Sequence, residues 1–363
     1  MKVLKRIAYI NADCYVDTDF TVLRHLARQF EVVWYPVYYT DRPIYYTPEQ
    51  MLSYARENGI EIHLCPRQYR QRDPRNYAFY SKIVEDINNR EVDIVYSCTC
   101  EELYWTLASW KLKAQRVLGL HDVVMHHFGA PVKRLIQTGI RELTILGSRN
   151  VCVFSGNQAA LFNKRYGRVA EILGLSCRRL GPVTVDTPSI SQGVRMLFFG
   201  NIVEYKGLDL LIACMEKLRS QGITNLFLTV AGRGEHWGEC EKQIKTRQMY
   251  DLNIRFIDNE EIPNLLASHH FMALPYRNAT QSGPMSLAAG YGMPILAPEY
   301  GCFKEYYDRQ SGVLYSDLES ALRQLASMSQ EEYDQMGQNA ALLKDKFSEE
   351  AIAQRYIQYF NSL

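Results

Sequence analysis

Long hydrophobic runs are missing from this sequence. No stretch approaches the roughly eighteen apolar residues that a membrane span requires. The apolar run after the basic start, Ile7 to Ile10, is broken by Asn11 and Asp13, and this is too short for the core of a signal peptide. We therefore expect a soluble, cytoplasmic protein.

Several motifs of familiar chemistry are also absent. The sequence has no C-x-x-C pair and no G-x-S-x-G, and its nine cysteines are scattered. Cys98 and Cys100 lie two residues apart, a spacing that suits neither a zinc site nor a local disulfide. These absences argue against a disulfide scaffold and a serine hydrolase, and we expect mostly buried free thiols.

Charge is nearly balanced over the whole chain but not along it. Residues 1–190 carry 25 Lys and Arg against 19 Asp and Glu, whereas residues 191–363 carry 16 against 21. This asymmetry favours an anionic partner for the first half, although ordinary scatter of surface charge explains it equally well. The balanced total and the lack of a known motif argue against nucleic acid.

Aromatic and basic residues alternate in two stretches of the first half, 34–46 and 67–75. Such a mixture suits contact with anionic lipid headgroups or a platform for sugar rings. The alternative is a set of core strands with solvated arginines.

The length of 363 residues fits two domains, and the chain alternates short β-rich runs with helical spacings. Predicted strands of the first half are 6–10, 31–35, 60–64, 93–97, 116–120 and 151–155, with a helix at 20–30 among those between them. A stretch rich in Pro, Ser, Thr and Gly at 181–193 resembles an interdomain linker.

The same alternation restarts after residue 193. Predicted strands are 196–199, 226–231, 254–257, 271–274 and 294–297, and predicted helices are 207–221, 236–250 and 262–268. Strands that alternate with helices predict two doubly wound parallel sheets, and ligands of such sheets bind outside the carboxyl ends of the strands.

Two segments of the second half suit a diphosphate. In the first, Lys206 stands in a turn that leads directly into a helix, where a positive charge meets free N–H groups. In the second, a strand runs into the polar loop 279–283, and a helix rich in Ala and Gly follows. Small residues there allow close approach of the backbone to a phosphate.

These segments resemble the nucleotide-binding domain of GT-B glycosyltransferases, especially the family-4 group (glycosyl transferases group 1). The family's Gly-Arg-x-x-x-x-Lys-Gly turn corresponds to 200–207, its Ala-Gly-x-Gly turn to 231–234, and its Gly-x-Pro to 292–294. The resemblance is good over about 196–297 and weak in the first half. It implies two Rossmann-like domains that face each other across a cleft, residues 1–185 and 186–347, with a C-terminal helix in 348–363 that crosses back.

Two departures from the family pattern matter. Asn201 stands where the family has a phosphate-binding arginine, so Arg233 or Arg277 could supply that charge. The family's two glutamates would fall near Ala279 and Leu287, and no acidic residue occurs between Glu261 and Glu299. We interpret the loop as a variant in which hydroxyl and amide groups replace the carboxylate. The predicted donor and phosphate residues are therefore Gly200, Asn201, Lys206, Arg233, Thr280, Gln281, Ser282 and Gly283.

The predicted strand 116–120 delivers His121 and Asp122 at its carboxyl end. The family has a histidine there that faces the donor sugar, so the resemblance makes His121 and Asp122 candidate catalytic residues. Asp13 and His126 are the predicted acceptor-side residues. The alternatives are a core role for His121 and turn capping for Asp13. The histidine spacings do not give the usual ligand geometry of zinc, and no metal or other cofactor is predicted.

The resemblance implies transfer of a sugar from a nucleotide-diphosphate sugar to a lipid-linked or oligosaccharide acceptor, with retention of anomeric configuration. The implied setting is synthesis of a bacterial surface polysaccharide at the inner face of the cell membrane. Two alternatives stay open: a nonhydrolysing sugar-nucleotide epimerase, and a non-catalytic protein that binds nucleotide sugars.

Overall fold

The structure, a computed structural model, describes residues 4–40, 46–98, 102–124, 131–279 and 282–363. The chain divides into two compact units. The first domain comprises Met1–Leu175 and Glu349–Leu363, and the second domain comprises Ser176–Ser348.

The first domain is built on a parallel sheet with helices between its strands. Its elements are β1 (Arg6–Ala12), α1 (Val16–Leu26), β2 (Glu31–Tyr39), α2 (Pro48–Glu57), β3 (Glu61–Ile62), β4 (Cys65–Arg67), α3 (Asn76–Asn89), β5 (Ile94–Cys98), α4 (Leu103–Ser109), β6 (Gln115–Leu120), α5 (Pro131–Leu146), β7 (Asn150–Val153), α6 (Gly156–Tyr166) and β8 (Glu171–Ile172). Within the described ranges the sheet has eight strands in the order β3-β2-β1-β5-β6-β7-β8, and β4 also pairs with β2. Ile7 to Ile10 of β1 are fully buried, as expected for a strand covered on both faces.

The second domain repeats this design. Its elements are β9 (Val194–Phe199), α7 (Leu208–Ser220), β10 (Leu226–Ala231), α8 (Trp237–Glu241), β11 (Tyr250–Asn253), α9 (Ile262–Ala267), β12 (Phe271–Ala273), α10 (Gly283–Gly290), β13 (Ile295–Pro298), α11 (Phe303–Tyr306), β14 (Val313–Tyr315), α12 (Leu318–Ser327), α13 (Gln330–Ala341) and α14 (Leu343–Lys346). Across its described residues the parallel strands run β11-β10-β9-β12-β13-β14. Two parallel α/β domains are therefore confirmed.

The last helix, α15 (Glu349–Ser362), belongs to the first domain. Its apolar face buries Tyr356 and Phe360, and the Phe360 ring packs edge-on against Phe30 at 6.2 Å between centroids. Lys5 Nζ donates a hydrogen bond to the Phe360 carbonyl oxygen at 3.1 Å. The chain thus returns to its first domain after completing the second, as the resemblance implied.

The stretch 181–193 is not a free linker, because it packs on the second domain. The Thr184 amide donates to Asn264 Oδ1 at 2.9 Å, and the Gly181 amide donates to the Tyr291 hydroxyl at 3.1 Å. Ile190 is buried in the core of that domain. These contacts place the domain boundary at Leu175, earlier than the expected residue 185.

The expected helix at 236–250 and strand at 254–257 are wrong. The helix α8 ends at Glu241, and the strand β11 is Tyr250–Asn253. The chain bends before β11 because the Glu216 carboxylate of α7 accepts hydrogen bonds from the amides of Lys245 and Thr246, each at 3.0 Å.

The first aromatic–basic stretch is mostly interior, whereas in the second Arg67 is buried but Arg70, Arg72 and Arg75 are exposed. In β2, Trp34 and Tyr35 are buried, and Arg67 at the end of β4 is only 3% exposed. Arg67 lies 2.6 Å from the buried Glu102 carboxylate, and its guanidinium stacks on the Tyr39 ring. Arg67 therefore cannot contact a membrane, and it is an ion-paired core residue rather than a solvated one. In the described parts of the chain, no helix has the length and hydropathy needed to cross a bilayer.

Candidate functional site

A tight turn after β9 carries the candidate phosphate-binding lysine. Residues Glu204–Lys206 form one turn of 3-10 helix, and Gly207 follows in the left-handed conformation with φ of 67°. A Cβ atom on Gly207 would lie 2.0 Å from the Pro275 carbonyl oxygen, so only glycine allows the turn to sit against the segment after β12.

Lys206 is 7% exposed, although its side chain carries a charge. Its ammonium lies 5.7 Å from the centre of the Tyr276 ring and 3.4 Å from the position that a Cβ on Gly200 would occupy. Burial lowers the pKa of Lys206 to about 8, and no neighbouring charge contributes to this shift. Among the residues with described positions, no carboxylate pairs with this ammonium. A buried cation in this state is suited to receive an anion.

Glycines bring two strand-end loops into direct contact beside Lys206. A Cβ on Gly232 would lie 1.9 Å from the Gly200 carbonyl oxygen, and one on Gly234 would lie 2.0 Å from the Ile202 carbonyl oxygen. The Ile202 amide donates to the Arg233 carbonyl oxygen at 2.9 Å. The side chains of Asn201 and Arg233 are both exposed there, and the Arg233 guanidinium lies over the Phe256 ring.

The N-terminus of α10 reaches the same place. Ser282 caps this helix by accepting a hydrogen bond from the Met285 amide at 3.3 Å, and its hydroxyl donates to the Tyr276 hydroxyl at 3.2 Å. Pro284 lies 3.9 Å from the Cβ position of Gly200, and among the described residues a Cβ on Gly283 would meet no neighbour within 4 Å. The helix end thus directs its positive pole toward the Lys206 region.

Two predicted donor residues, Thr280 and Gln281, lie outside the described residues. The positions that correspond to the family's glutamates are buried: Ala279 is 3% and Leu287 is 4% exposed. Neither position can present a polar group to a ligand.

Arg277, one of the two candidates for the missing phosphate arginine, is already engaged. Its guanidinium donates to both oxygens of Asp209 at 2.9 and 2.5 Å. Burial raises the pKa of Asp209, but the Arg277 hydrogen bonds and charge outweigh burial and leave that pKa lowered. Arg233 makes no comparable ion pair within the described chain.

In the first domain, His121 follows β6 and is held between two aromatic rings. Its imidazole stacks on Tyr15 with 3.9 Å between centroids and on Phe154 with 4.3 Å. Burial lowers the pKa of His121 to about 3, so the ring is neutral at neutral pH. A neutral imidazole can exchange hydrogen bonds with a hydroxyl group, but it is not an acid at this pH.

Buried side chains fix the backbone just after His121. The Val123 amide donates to Gln158 Oε1 at 2.6 Å, and the Arg141 guanidinium donates to the Val123 carbonyl oxygen. A cavity of about 50 Å³ lies beside this segment, lined in part by His121, Asp122 and Tyr15.

The structure therefore forms two separate clusters from the predicted residues. Asp13 opens the 3-10 turn that ends at Tyr15, which brings it to the strand end that carries His121 and Asp122. His126 lies outside the described residues. In the second domain, Gly200, Asn201, Lys206, Arg233, Ser282 and Gly283 surround the carboxyl ends of β9, β10 and β12.

Sequence reasoning missed Tyr15, Tyr276 and the Asp209–Arg277 pair. Tyr276 was detectable only as a neighbour of the polar loop, because its contact with Lys206 joins elements some seventy residues apart. Within the described residues, no group of three His, Cys, Asp or Glu side chains could hold a metal ion.

Comparison with known proteins identifies the second domain. Residues 193–330 match the family model "Glycosyl transferases group 1". The matched residues include the Lys206 turn, the glycine contacts and the start of α10. The match confirms the family predicted for this part of the chain, and it confirms the prediction of a transferase. The comparison with curated proteins finds no match.

Solved structures similar over the whole chain establish its fold as GT-B. The Anabaena protein HepE, solved with UDP and glucose, is 16% identical with a TM-score of 0.72, covering 99% of this chain and 100% of that one. Sucrose-phosphate synthase from Thermosynechococcus elongatus is 14% identical with a TM-score of 0.71, covering 99% and 98%. A UDP-N-acetylglucosamine 2-epimerase is 13% identical with a TM-score of 0.61, covering 100% and 98%.

Proposed function

We propose that this protein transfers a sugar from a nucleoside diphosphate sugar to a hydroxyl group of an acceptor. The observation that carries the proposal is the Lys206 ammonium, which is nine-tenths buried, lacks a carboxylate partner among the described residues and lies beside the start of α10. The two phosphates of such a donor supply the missing negative charge. The family match over residues 193–330 supports the same chemistry.

The reaction breaks the bond between the anomeric carbon and the β-phosphate oxygen and forms a bond from that carbon to the acceptor oxygen, whose proton is released. Negative charge grows on the diphosphate as it leaves. Lys206 and the free N–H groups at the start of α10 would stabilise this charge without first reorganising. The neutral His121 would hydrogen-bond a sugar hydroxyl and orient it.

Calorimetry tests the donor site. A panel of UDP, GDP, dTDP and ADP identifies the base, and the tightest binder is then titrated into Lys206→Ala. We expect at least a tenfold weaker affinity, because a charge-assisted hydrogen bond is worth about 1.5–3 kcal/mol. Lys217→Ala is the matched control, since Lys217 belongs to an exposed ion pair on α7. If Lys206→Ala binds as tightly as the wild type, the assignment is wrong.

We further propose that the acceptor is lipid-linked, that the product is a bacterial surface polysaccharide, and that the enzyme works at the inner face of the membrane with retention of configuration. The first domain supports membrane contact by its charge, with 24 Lys and Arg against 20 Asp and Glu. Proton NMR of the product's anomeric signal distinguishes retention from inversion.

The surface we propose for membrane contact is the outer face of α5, which combines exposed apolar and basic residues. In the stretch 67–75, Arg67 is buried, although Arg70, Arg72 and Arg75 are exposed. Leu135 and Leu146 of this helix are 74% and 69% exposed, and Leu143 is exposed between them. Trp110, half exposed, contacts Gly147 at the end of the helix. Exposed Lys111, Lys113 and Arg149 flank this end. Apolar residues with tryptophan and basic residues at the edge are typical of helices that lie in an anionic membrane surface.

Flotation with vesicles of equal parts phosphatidylcholine and phosphatidylglycerol tests this surface. The triple variant Leu135→Gln, Leu143→Gln, Leu146→Gln should lose binding, whereas Leu342→Gln, an equally exposed leucine of the second domain, should keep it. Absence of wild-type binding at low salt, or formation of a dimer that the triple variant abolishes, would overturn the proposal.

The likeness to an epimerase provides one rival function on the same fold. Elimination of the nucleotide by such an enzyme needs acidic groups near the donor, but residues 262–298 contain none. Incubation with the donor alone should yield no epimer. A protein that binds the donor yet transfers its sugar to no acceptor would be a binding protein instead.

A further inference from the structure

We infer that Arg277 is a positioning residue that holds the Lys206 turn in place for the diphosphate, and that it does not itself bind phosphate. The inference rests on the proposed function for its ligand. Arg277 stands out because the segment 262–298 is otherwise nearly uncharged. Apart from two histidines and two tyrosines, it is the only ionisable residue of that segment.

Three contacts join Arg277 to the turn and to the helix that follows it. The Arg277 amide donates to the Tyr205 carbonyl oxygen at 2.7 Å, and its Nη1 donates to the Glu204 carbonyl oxygen at 2.5 Å. The guanidinium also donates hydrogen bonds to both carboxylate oxygens of Asp209, in the first turn of α7. The residues on both sides of Lys206 are thereby fixed to the segment after β12.

Asp209 extends this network to a third loop. His236, next to the glycine turn that carries Arg233, lies with its Nε2 3.7 Å from Asp209 Oδ1. The Asp209 carboxylate thus bonds to the segment after β12 through Arg277 and lies close to the loop that supplies Arg233, although it makes no hydrogen bond to His236.

Geometry also argues against a direct phosphate contact. A planar guanidinium binds a carboxylate or a phosphate through a fork of two N–H groups, and Asp209 already occupies the Nη1/Nη2 fork of Arg277. Phosphate could take this fork only by displacing Asp209, which would leave an uncompensated carboxylate beside the donor. Lys206, in contrast, has no such competitor among the described residues.

Two roles for Arg277 predict different results for the variants Arg277→Lys and Asp209→Asn, with Arg277→Met as the reference. If Arg277 positions the turn, Arg277→Lys should weaken nucleoside diphosphate binding about as much as Arg277→Met, roughly tenfold, because lysine keeps the charge but cannot make the fork. Asp209→Asn should also weaken binding. If Arg277 binds phosphate, Arg277→Lys should retain most of the affinity, and Asp209→Asn should increase it by releasing the guanidinium.

The charge of Asp209 is a separate influence and needs its own control. Asp209→Asn made in the Arg277→Met background measures the effect of removing that charge alone, and the double-mutant cycle isolates the coupling of the pair. Lys217→Met is the matched control, because Lys217 lies on the same helix as Asp209 but pairs with Glu319 of α12, away from the turn. It should leave the affinity unchanged.

Hydrogen exchange supplies a readout that needs no ligand. The Gly207 amide donates to the Glu204 carbonyl oxygen, the same oxygen that Arg277 holds. Arg277→Met should therefore speed exchange in a peptide covering 204–208, and Lys217→Met should not. Unchanged exchange, or a double-mutant cycle in which Arg277 and Asp209 show no coupling in nucleoside diphosphate binding, would overturn the inference. Faster exchange in a protein whose wild type binds no nucleoside diphosphate would instead disprove the proposed function.

Discussion

Replacing Lys206 by methionine should stabilise the free protein while it weakens donor binding. Methionine is similar in length and carries no charge, so it removes the buried ammonium without opening a large cavity. The pKa of Lys206 falls from 10.5 to about 8 through burial. At about 1.4 kcal/mol per pKa unit, this difference means that burial disfavours the charged form by about 3 kcal/mol.

The effect of this substitution on the free energy of unfolding should depend on pH in a defined direction. Below pH 8 both the folded and the unfolded protein carry the charged lysine, and the folded state bears the full penalty. Between pH 8 and 10.5 the unfolded state binds more protons than the folded state, so the stability of the wild type rises with pH in this window. The advantage of Lys206→Met should therefore be greatest at pH 7 and should disappear near pH 10.5.

Denaturant unfolding at several pH values measures this directly, with calorimetry of the donor in parallel. We expect up to about 3 kcal/mol of added stability at pH 7, an upper value because relaxation and water lessen the penalty of burial. A less stable Lys206→Met protein at pH 7 would show that the ammonium has a favourable partner. If the same variant binds the donor as tightly as the wild type, Lys206 is not part of the donor site.

Other variants test the rest of the site. Gly200→Ala should weaken diphosphate binding in calorimetry, because the residue has φ of 101° and its Cβ would lie 3.4 Å from the Lys206 ammonium. Gly222→Ala controls for backbone strain, because Gly222 also has a positive φ, 94°, and its Cβ would meet no described atom within 4 Å. His121→Ala should slow transfer by roughly 10²-fold or less, and this factor should change little between pH 5 and 8 because the imidazole stays neutral there. A lower melting temperature with normal turnover of the folded fraction would show that His121 has only a structural role in the core. Glu102→Ala should cost about 3–5 kcal/mol in unfolding experiments by leaving Arg67 buried without its partner, and a loss below 1 kcal/mol would contradict the buried ion pair.

The fold was largely predictable because its strongest signals are local. The apolar runs 6–10 and 226–231 and the helical spacing of 207–221 each correspond to an element of the structure. The predictions failed where the path of the backbone depends on a side chain that is distant in the sequence. Glu216 turns the chain before β11, and Asn264 and Tyr291 attach the stretch 181–193 to the second domain.

The candidate site was predictable in part for the same reason. Gly200 directly follows β9, and Lys206 and Ser282 lie in loops between a strand and the next helix, so the alternation of strands and helices indicates where they meet. The ion pairs of Arg67 and Arg277 were not predicted, because nothing near these residues in the sequence reveals Glu102 or Asp209 as their partners. Long-range ion pairs of this kind depend on packing and leave no periodic pattern.

The position of α15 determines the order in which this protein can fold during synthesis. Domains generally form as units, and those nearer the N-terminus usually form first. Here the first domain lacks Tyr356 and Phe360 until residue 362 has left the ribosome, whereas every residue of Ser176–Ser348 is available earlier. The second domain can therefore fold first, while part of the apolar surface of the first domain stays exposed although its strands are synthesised earlier. A nascent chain arrested just before residue 349 should expose that surface to chaperones and proteases.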